Sequence, residues 1–311
     1  MRQFLTPRTC RLLDIRGFDT VDAQQLARVA PRLPPNARVS RATRDLMRRC
    51  SNNGRLVLTK DVAMELRADF ARREVVRPGA EVWQPSSMAA AERYILDRIG
   101  EKVVRETLII RCAAGARFSV HTHGGGEEFL VLAGSFHDDA GDYADGTYVR
   151  NLTGTAHAPW AGPDGAVLFV KLNQFTAADT RRVVIDTRAA RWHQGLVPGL
   201  TVLALHEHGP EHVALVRWAP STRFMPHHHW GGEEILVLDG VFEDEHGTYP
   251  KGSWLRSPHL SAHNPFTGPS GALIYVKTGH LAAGRRLVDR ESWLNPLQLD
   301  LSRGRTNTKR R

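Results

Sequence analysis

The chain has 311 residues, 41% of them hydrophobic and 24% charged, with a formal net charge of +9; that length can bury a sizeable core and holds about two ordinary domains. No window approaches the roughly 20 apolar residues of a membrane span, and the N-terminal stretch lacks the apolar core of a secretory signal. The three cysteines, Cys10, Cys50 and Cys112, form no CxxC pair and suit a reducing compartment, so a cytoplasmic protein is expected.

Charge is concentrated at the ends. Residues 1–63 hold 13 Lys/Arg against 5 Asp/Glu, and residues 301–311 hold Arg303, Arg305, Lys309, Arg310 and Arg311 with no acid, which leaves −4 for the rest of the +9. A phosphate-binding body would itself be basic. Basic tails on a mildly acidic body argue against a nucleic-acid partner.

Residues 1–63 read as an Arg-rich extension without sustained periodicity, broken by Pro31 to Pro35 and by the turn-like Ser51 to Gly54, with short helices expected at 21–29 and 41–49. Met64 is a candidate natural start, since Lys60-Asp61 can be encoded by a ribosome-binding sequence. From there the pattern becomes regular. Met88 to Leu96 is helix or strand; Thr107 to Cys112, Phe129 to Leu132, Thr147 to Val149 and Val167 to Val170 are short runs of branched and aromatic residues that predict strands. Turns rich in Gly, Asp and Pro separate them. Val213 to Trp218, Ile235 to Leu238, Ser253 to Leu255 and Ala272 to Val276 repeat the plan, and residues 178–210 are expected to lend strands to both copies. Many short strands with regular turns predict an all-β fold of the sandwich or jelly-roll kind.

The repeat is the strongest feature. An offset of 106 carries Arg111–Lys171 onto Arg217–Lys277 without insertion or deletion, and 29 of the 61 paired positions are identical. A fixed internal period means two copies of one folding unit. The expected division is therefore an extension at 1–63, one domain at 64–178, a second at 179–293 and a basic tail at 294–311. Two copies in one chain already form a pseudo-dimer, so a monomer or a homodimer is expected.

Residues two apart on a strand face the same side, so His121 and His123 point one way and Val120 and Thr122 the other. The glycines from Gly124 to Gly126 let the chain bend, Glu127 returns to the same centre, and His157 arrives from a separate hairpin. The offset supplies His227, His229, Glu233 and His263. Three imidazoles and a carboxylate suit Fe(II), Zn, Mn, Ni or Cu and do not suit Ca or Mg. Around an octahedral ion they leave two positions for water, substrate or oxygen. The competing reading of these eight residues, satisfied polar groups in a decayed barrel, is disfavoured by their retention in both copies.

Gly115, His121, His123, Glu127 and Gly134, with five, one, three and six residues between them, resemble the first cupin motif; Gly146, Gly154 and His157 resemble the second. Copy two has Ser221 in place of Gly115 and Leu260 in place of Gly154. The wording HTHGGGEEFLVL and HHHWGGEEILVLDGVFEDEHGTYPKGSWLRSP is similar to the ChrR-like cupins, metal-binding modules found at the C-terminus of certain anti-sigma factors and also as free-standing bicupins. This resemblance implies a conical β-barrel per copy, inward ligands, and one divalent metal per barrel, often zinc or iron. It leaves the activity open. The anti-sigma activity of the two-domain relatives resides in a helical module with a His and Cys-x-x-Cys pattern that is missing from this sequence, so sigma-factor binding is not carried over.

Neighbouring residues read as follows. Glu128 and Glu234, at opposite parity, belong to the outer face or a layer behind the ligands, and His228 points away. His137, His246 and His259 sit in turns and read as solvated. Arg117 and Arg223, four residues before the first histidine, either aim into the barrel to orient a carboxylate or enolate or lie along the rim. Lys171 and Lys277 read as surface. Three functions fit: a metal-dependent enzyme or sensor of a small organic molecule, as an enzyme an oxidoreductase resembling acetylacetone dioxygenase that chelates an enolised β-dicarbonyl; a non-catalytic regulatory module binding a protein partner; or a storage-like scaffold.

Overall fold

A computed structural model describes residues 37–39, 64–86, 89–99 and 105–281. The helices expected at 21–29 and 41–49, and the tail at 294–311, lie outside the described residues. Every regular element among the described residues is a β-strand, as the branched and aromatic runs between glycine turns require. The ambiguous run at Met88 to Leu96 contributes to a strand, Ala91–Ile99. Among the described residues no helix is long and apolar enough to cross a membrane.

The first sheet runs Ala37–Val39, Met64–Leu66, Ala91–Ile99, Arg105–Cys112, Trp160–Leu172, Glu127–Asp138, Thr147–Asn151 and Val183–Asp186. The second runs His193–Gln194, Leu200–His208, Glu211–Trp218, Phe266–Thr278, Glu233–Asp244, Trp254–Ser257 and Glu74–Val76. All neighbours are antiparallel. A two-stranded ribbon completes each copy, His121–His123 against Thr155–His157 and His227–His228 against Ala262–His263. The result is two tandem jelly-roll barrels.

The outermost strands are exchanged. Val76, from the segment before copy one, pairs with Trp254 of copy two, while Ile185, from the segment before copy two, pairs with Tyr148 of copy one. Residues 178–210 do supply strands to both sheets, and each sheet also takes one strand from across the 178/179 division.

Strand parity explains the cores. Leu108, Ile110, Phe129 and Val131 fill the first barrel, and Val216, Ile235, Val237 and Ile274 fill the second. The outward-facing alternates are buried as well, because Leu130, Tyr148 and Phe169 cluster with Leu236, Trp254 and Tyr275 between the barrels. Phe169 and Tyr275 meet edge to face with centroids 5.1 Å apart.

This interface corrects one expectation and adds to another. Lys171 and Lys277 are not at the surface: both are fully buried, with Nζ of Lys171 donating to Glu234 at 2.6 Å and Nζ of Lys277 donating to Glu128 at 2.9 Å. Glu128 and Glu234 do lie on the outer face of their barrels, but that face is covered by the other barrel. Alternation distinguishes inside from outside; it does not say whether the outside meets water.

Candidate metal centres

The histidines of each copy converge. In the first barrel the ligating atoms of His121, His123 and His157 lie within 4.8 Å of one another, as do those of His227, His229 and His263 in the second. The ribbon pairing makes this happen, setting His157 directly opposite His121 and His263 opposite His227. Glu127 Oε2 stands 3.5 Å from His123 Nε2 and 3.6 Å from His157 Nε2. Glu233 repeats both distances with His229 and His263, at 3.5 and 3.6 Å.

Hydrogen bonds on the far side of the rings set which nitrogen faces the centre. His121 Nδ1 donates to the Ser119 carbonyl at 2.8 Å and His227 Nδ1 to the Met225 carbonyl at 2.9 Å. His157 Nδ1 donates to Asp138 at 3.0 Å and His263 Nδ1 to Asp244 at 3.4 Å. In its neutral form each of these rings therefore turns a bare Nε2 inward, the arrangement that orients and strengthens a metal-binding imidazole. The Nε2 atoms of His123 and His157 approach to 2.9 Å, and those of His229 and His263 to 3.0 Å. With an Nε2–H on His123 and on His229 these are N–H···N hydrogen bonds, and with both nitrogens bare the same spacing suits a shared cation. A metal–nitrogen bond of about 2.1 Å separates adjacent ligand atoms by roughly 3.0 Å, so the donor set fits a transition-metal ion.

Electrostatics agree. Burial pulls His123 and His229 down from the usual histidine range and His227 down to about 4, keeping the rings neutral and able to bind metal. Burial also raises Glu233, a strain that a cation relieves. His263 is the exception: burial lowers it, but Glu233 and Asp244 raise it further. Burial would raise Asp244, yet the hydrogen bonds from His263 and Tyr249 and the Arg73 charge outweigh that and hold it at about 2.

Asp138 and Asp244 were not among the residues singled out from the sequence, although the offset of 106 relates them and both end the strand that begins with Glu127 or Glu233. Behind them the exchanged segments reappear. Tyr143 donates to Asp138 at 2.8 Å and itself accepts from Arg182 at 2.8 Å; Tyr249 donates to Asp244 at 2.8 Å, and Arg73 binds both at 2.7 and 2.9 Å. Each centre is thus braced by an arginine from the segment preceding the other copy.

The remaining candidates fall elsewhere. Arg117 and Arg223 are exposed, their guanidinium carbons 5.4 Å from the Trp160 ring and 4.4 Å from the Phe266 ring, so the inward reading is corrected: each backbone bridges the following strand and sends its side chain along the outside. His228 points outward and is exposed. His137 is stacked on Trp160 at 5.6 Å and bonded to Ser135 and Asp142, so it is a packing residue and not a solvated one. His259 accepts from the Gly231 backbone. A third cluster, Asp179, His206 and Glu211, already has its cation: Arg150 donates to Asp179 and, at 3.1 Å, to Glu211.

Comparison with known proteins agrees with this geometry. The model of the ChrR cupin-like domain matches residues 71–176 and again 180–282. The chain belongs to that family. No curated protein sequence matches it significantly. Among solved structures, a Nostoc punctiforme protein provisionally assigned as a dioxygenase superposes with a TM-score of 0.56 at 13% identity, covering 67% of this chain and 82% of the other. Ylba from E. coli gives 0.54 at 13% identity over 70% and 95%. Oxalate decarboxylase from Lactobacillus farciminis, in complex with formate, gives 0.50 at 10% identity over 67% and 86%. At such identities the likeness is one of fold.

Proposed function

We propose that this ChrR-like bicupin is a two-site metalloprotein: each barrel holds one divalent transition metal, zinc or iron(II) before manganese or nickel, and presents it to a small organic molecule that the protein senses or transforms. The observation that carries the reading is the duplicated convergence of three inward Nε2 atoms and one carboxylate, each set backed by its own aspartate. Such an ion supplies Lewis acidity and, where redox-active, a place for oxygen.

The chain's own residues do the rest. Asp138 and Asp244 orient one imidazole per site. Glu127 and Glu233 each offset one of the two positive charges. A centre of net charge +1 in an apolar wall favours a monoanionic head group, a carboxylate or an enolised dicarbonyl, over a dianion. In the second barrel a cavity of about 50 Å³ reaches His227, His229, Glu233 and His263 and is otherwise lined by apolar and aromatic residues. An apolar cavity at the histidines supports small-molecule recognition ahead of scaffolding. The second reading, a non-catalytic regulatory module that binds a protein partner, rests on membership of the ChrR cupin-like family.

The test is metal content per chain after purification under nitrogen, beside the His121→Ala/His227→Ala variant, followed by oxygen uptake with a β-diketone panel. About two metal ions per chain, lost in the variant, are expected. Iron with oxygen uptake makes the protein an oxygenase; tightly held zinc without turnover makes it the regulatory module. No metal in either protein would overturn the proposal.

A further inference from the structure

One residue of the second-barrel cavity also meets water. The lining runs from His227, His229 and His263 between apolar side chains, and all of it is buried or half-buried except Leu196, which is 50% exposed. Its neighbour Gly195 is half-buried and lines the same space. The cavity therefore meets the surface at Leu196.

Leu196 sits on the tip of a hairpin. His193 and Gln194 pair with Val202 and Thr201, and the turn between them is closed by its own hydrogen bonds. The Gly195 N–H donates to the Leu200 carbonyl at 2.9 Å, the Leu200 N–H to the Val197 carbonyl at 3.2 Å, and the Gln194 side-chain amide to the same two carbonyls at 3.0 and 3.2 Å. Polar groups satisfied within the turn hold it in one shape. The tip is also fixed to the barrel. The Ala219 N–H donates to the Gly199 carbonyl at 2.8 Å, and Gly199 has φ 90° with the Thr222 hydroxyl where a Cβ would stand, so glycine alone lets the tip lie this close. Val197 packs on the core of the second barrel. This anchoring leaves Leu196 as the side chain across the mouth.

We propose that Leu196 determines which molecules the second barrel accepts: monoanions whose head group reaches the metal and whose aliphatic body is no longer than the space between the histidines and Leu196. This rests on the metal reading above and adds the residue that sets substrate length. A cavity of about 50 Å³ has room for about four water-sized groups, so a body of about four carbons fills it. The lining contains no Lys or Arg, so a second negative charge at the far end would stay uncompensated. A longer body must pass Leu196 into water, where further methylenes gain nothing.

The test uses the cobalt-substituted full chain and the straight-chain carboxylates from acetate to octanoate. Binding is read from the cobalt visible spectrum in wild type, Leu196→Ala and Val197→Ala, each also carrying His121→Ala and His123→Ala so that cobalt occupies only the second barrel; the two-cobalt protein repeats the comparison should that variant not fold. In wild type each added methylene tightens binding about fourfold up to about pentanoate and then adds nothing. Leu196→Ala clears the mouth, and the rise continues for about three further methylenes at about twofold each, because the widened mouth is wet on one side. Val197→Ala truncates a neighbour on the same tip that does not line the cavity, and it leaves the break at pentanoate. Affinity that ignores chain length in wild type, a break at the same acid in wild type and Leu196→Ala, or one that moves equally in Val197→Ala overturns the inference while leaving the metal sites intact. So does a cobalt spectrum that no acid perturbs. Absence of cobalt from every protein overturns the metal reading itself.

Discussion

Asp138 and Asp244 show how much of each centre lies one residue behind its ligands. Each accepts from the Nδ1 of a histidine whose Nε2 faces inward, so replacing either by asparagine leaves the ligands in place and loosens their orientation. Asp138→Asn and Asp244→Asn should each weaken metal binding at their own barrel about 10- to 100-fold, read by competition with a chromophoric chelator, with the circular-dichroism spectrum unchanged. Cys112 is a contrasting case. It is 4% exposed and burial pushes its thiol up to about 12, so at pH 8 it should resist iodoacetamide in the native protein and react after denaturation. Peptide mapping by mass spectrometry checks this; native labelling of Cys112 would contradict the packed first barrel.

At the level of the strand and turn, the glycines of the repeat do different work. Gly134 has φ 71°, and a Cβ there would meet the Gly165 carbonyl oxygen at 2.1 Å; Gly240 and Gly271 repeat this at 2.2 Å. Gly154 has φ 82° but open space around it, and its counterpart Leu260 holds φ 62° with its side chain half exposed. Gly154→Ala should therefore cost only the left-handed backbone penalty, about 1 kcal/mol, while Gly134→Ala should cost several times that because the sheet must shift. Urea unfolding of the two variants measures the difference. The same contrast explains why copy two tolerates Ser221 and Leu260 at positions where copy one has glycine.

For the whole molecule, the two barrels are joined by buried charges and exchanged strands, and they should unfold as one. Lys171→Met leaves Glu234 buried with Trp254 and His280 as its remaining partners, and removing one member of such a pair costs about 3–5 kcal/mol. A single urea transition at lower denaturant is expected; two separate transitions would show independent barrels. The interface also predicts acid sensitivity. Burial would raise Glu128, but Lys277, Arg150 and Lys171 hold it down at about 2. A carboxyl depressed in the folded state adds stability above its unfolded pKa and loses it as pH falls through the folded value, so metal-free protein should lose structure between about pH 4 and 2. Lys277→Met raises that carboxyl and should move the onset to higher pH, as followed by circular dichroism.

The sequence by itself determined the two-copy plan, the all-β architecture and the two histidine groups, His121, His123 and His157 and His227, His229 and His263. All three follow from local spacing or from a fixed offset, and a period of two on a strand states which side chains share a face. What covers a face depends on chain segments far apart, and tertiary structure alone decided it. That is why Lys171 and Lys277 turned out buried, why Arg117 and Arg223 lie along the outside, and why Arg73 and Arg182 brace the centre of the opposite barrel. It is also why the barrel interiors differ, Phe129 packing in the first where Ile235 packs in the second: the histidines repeat a short motif, whereas a barrel wall is assembled from strands that meet only in the folded chain.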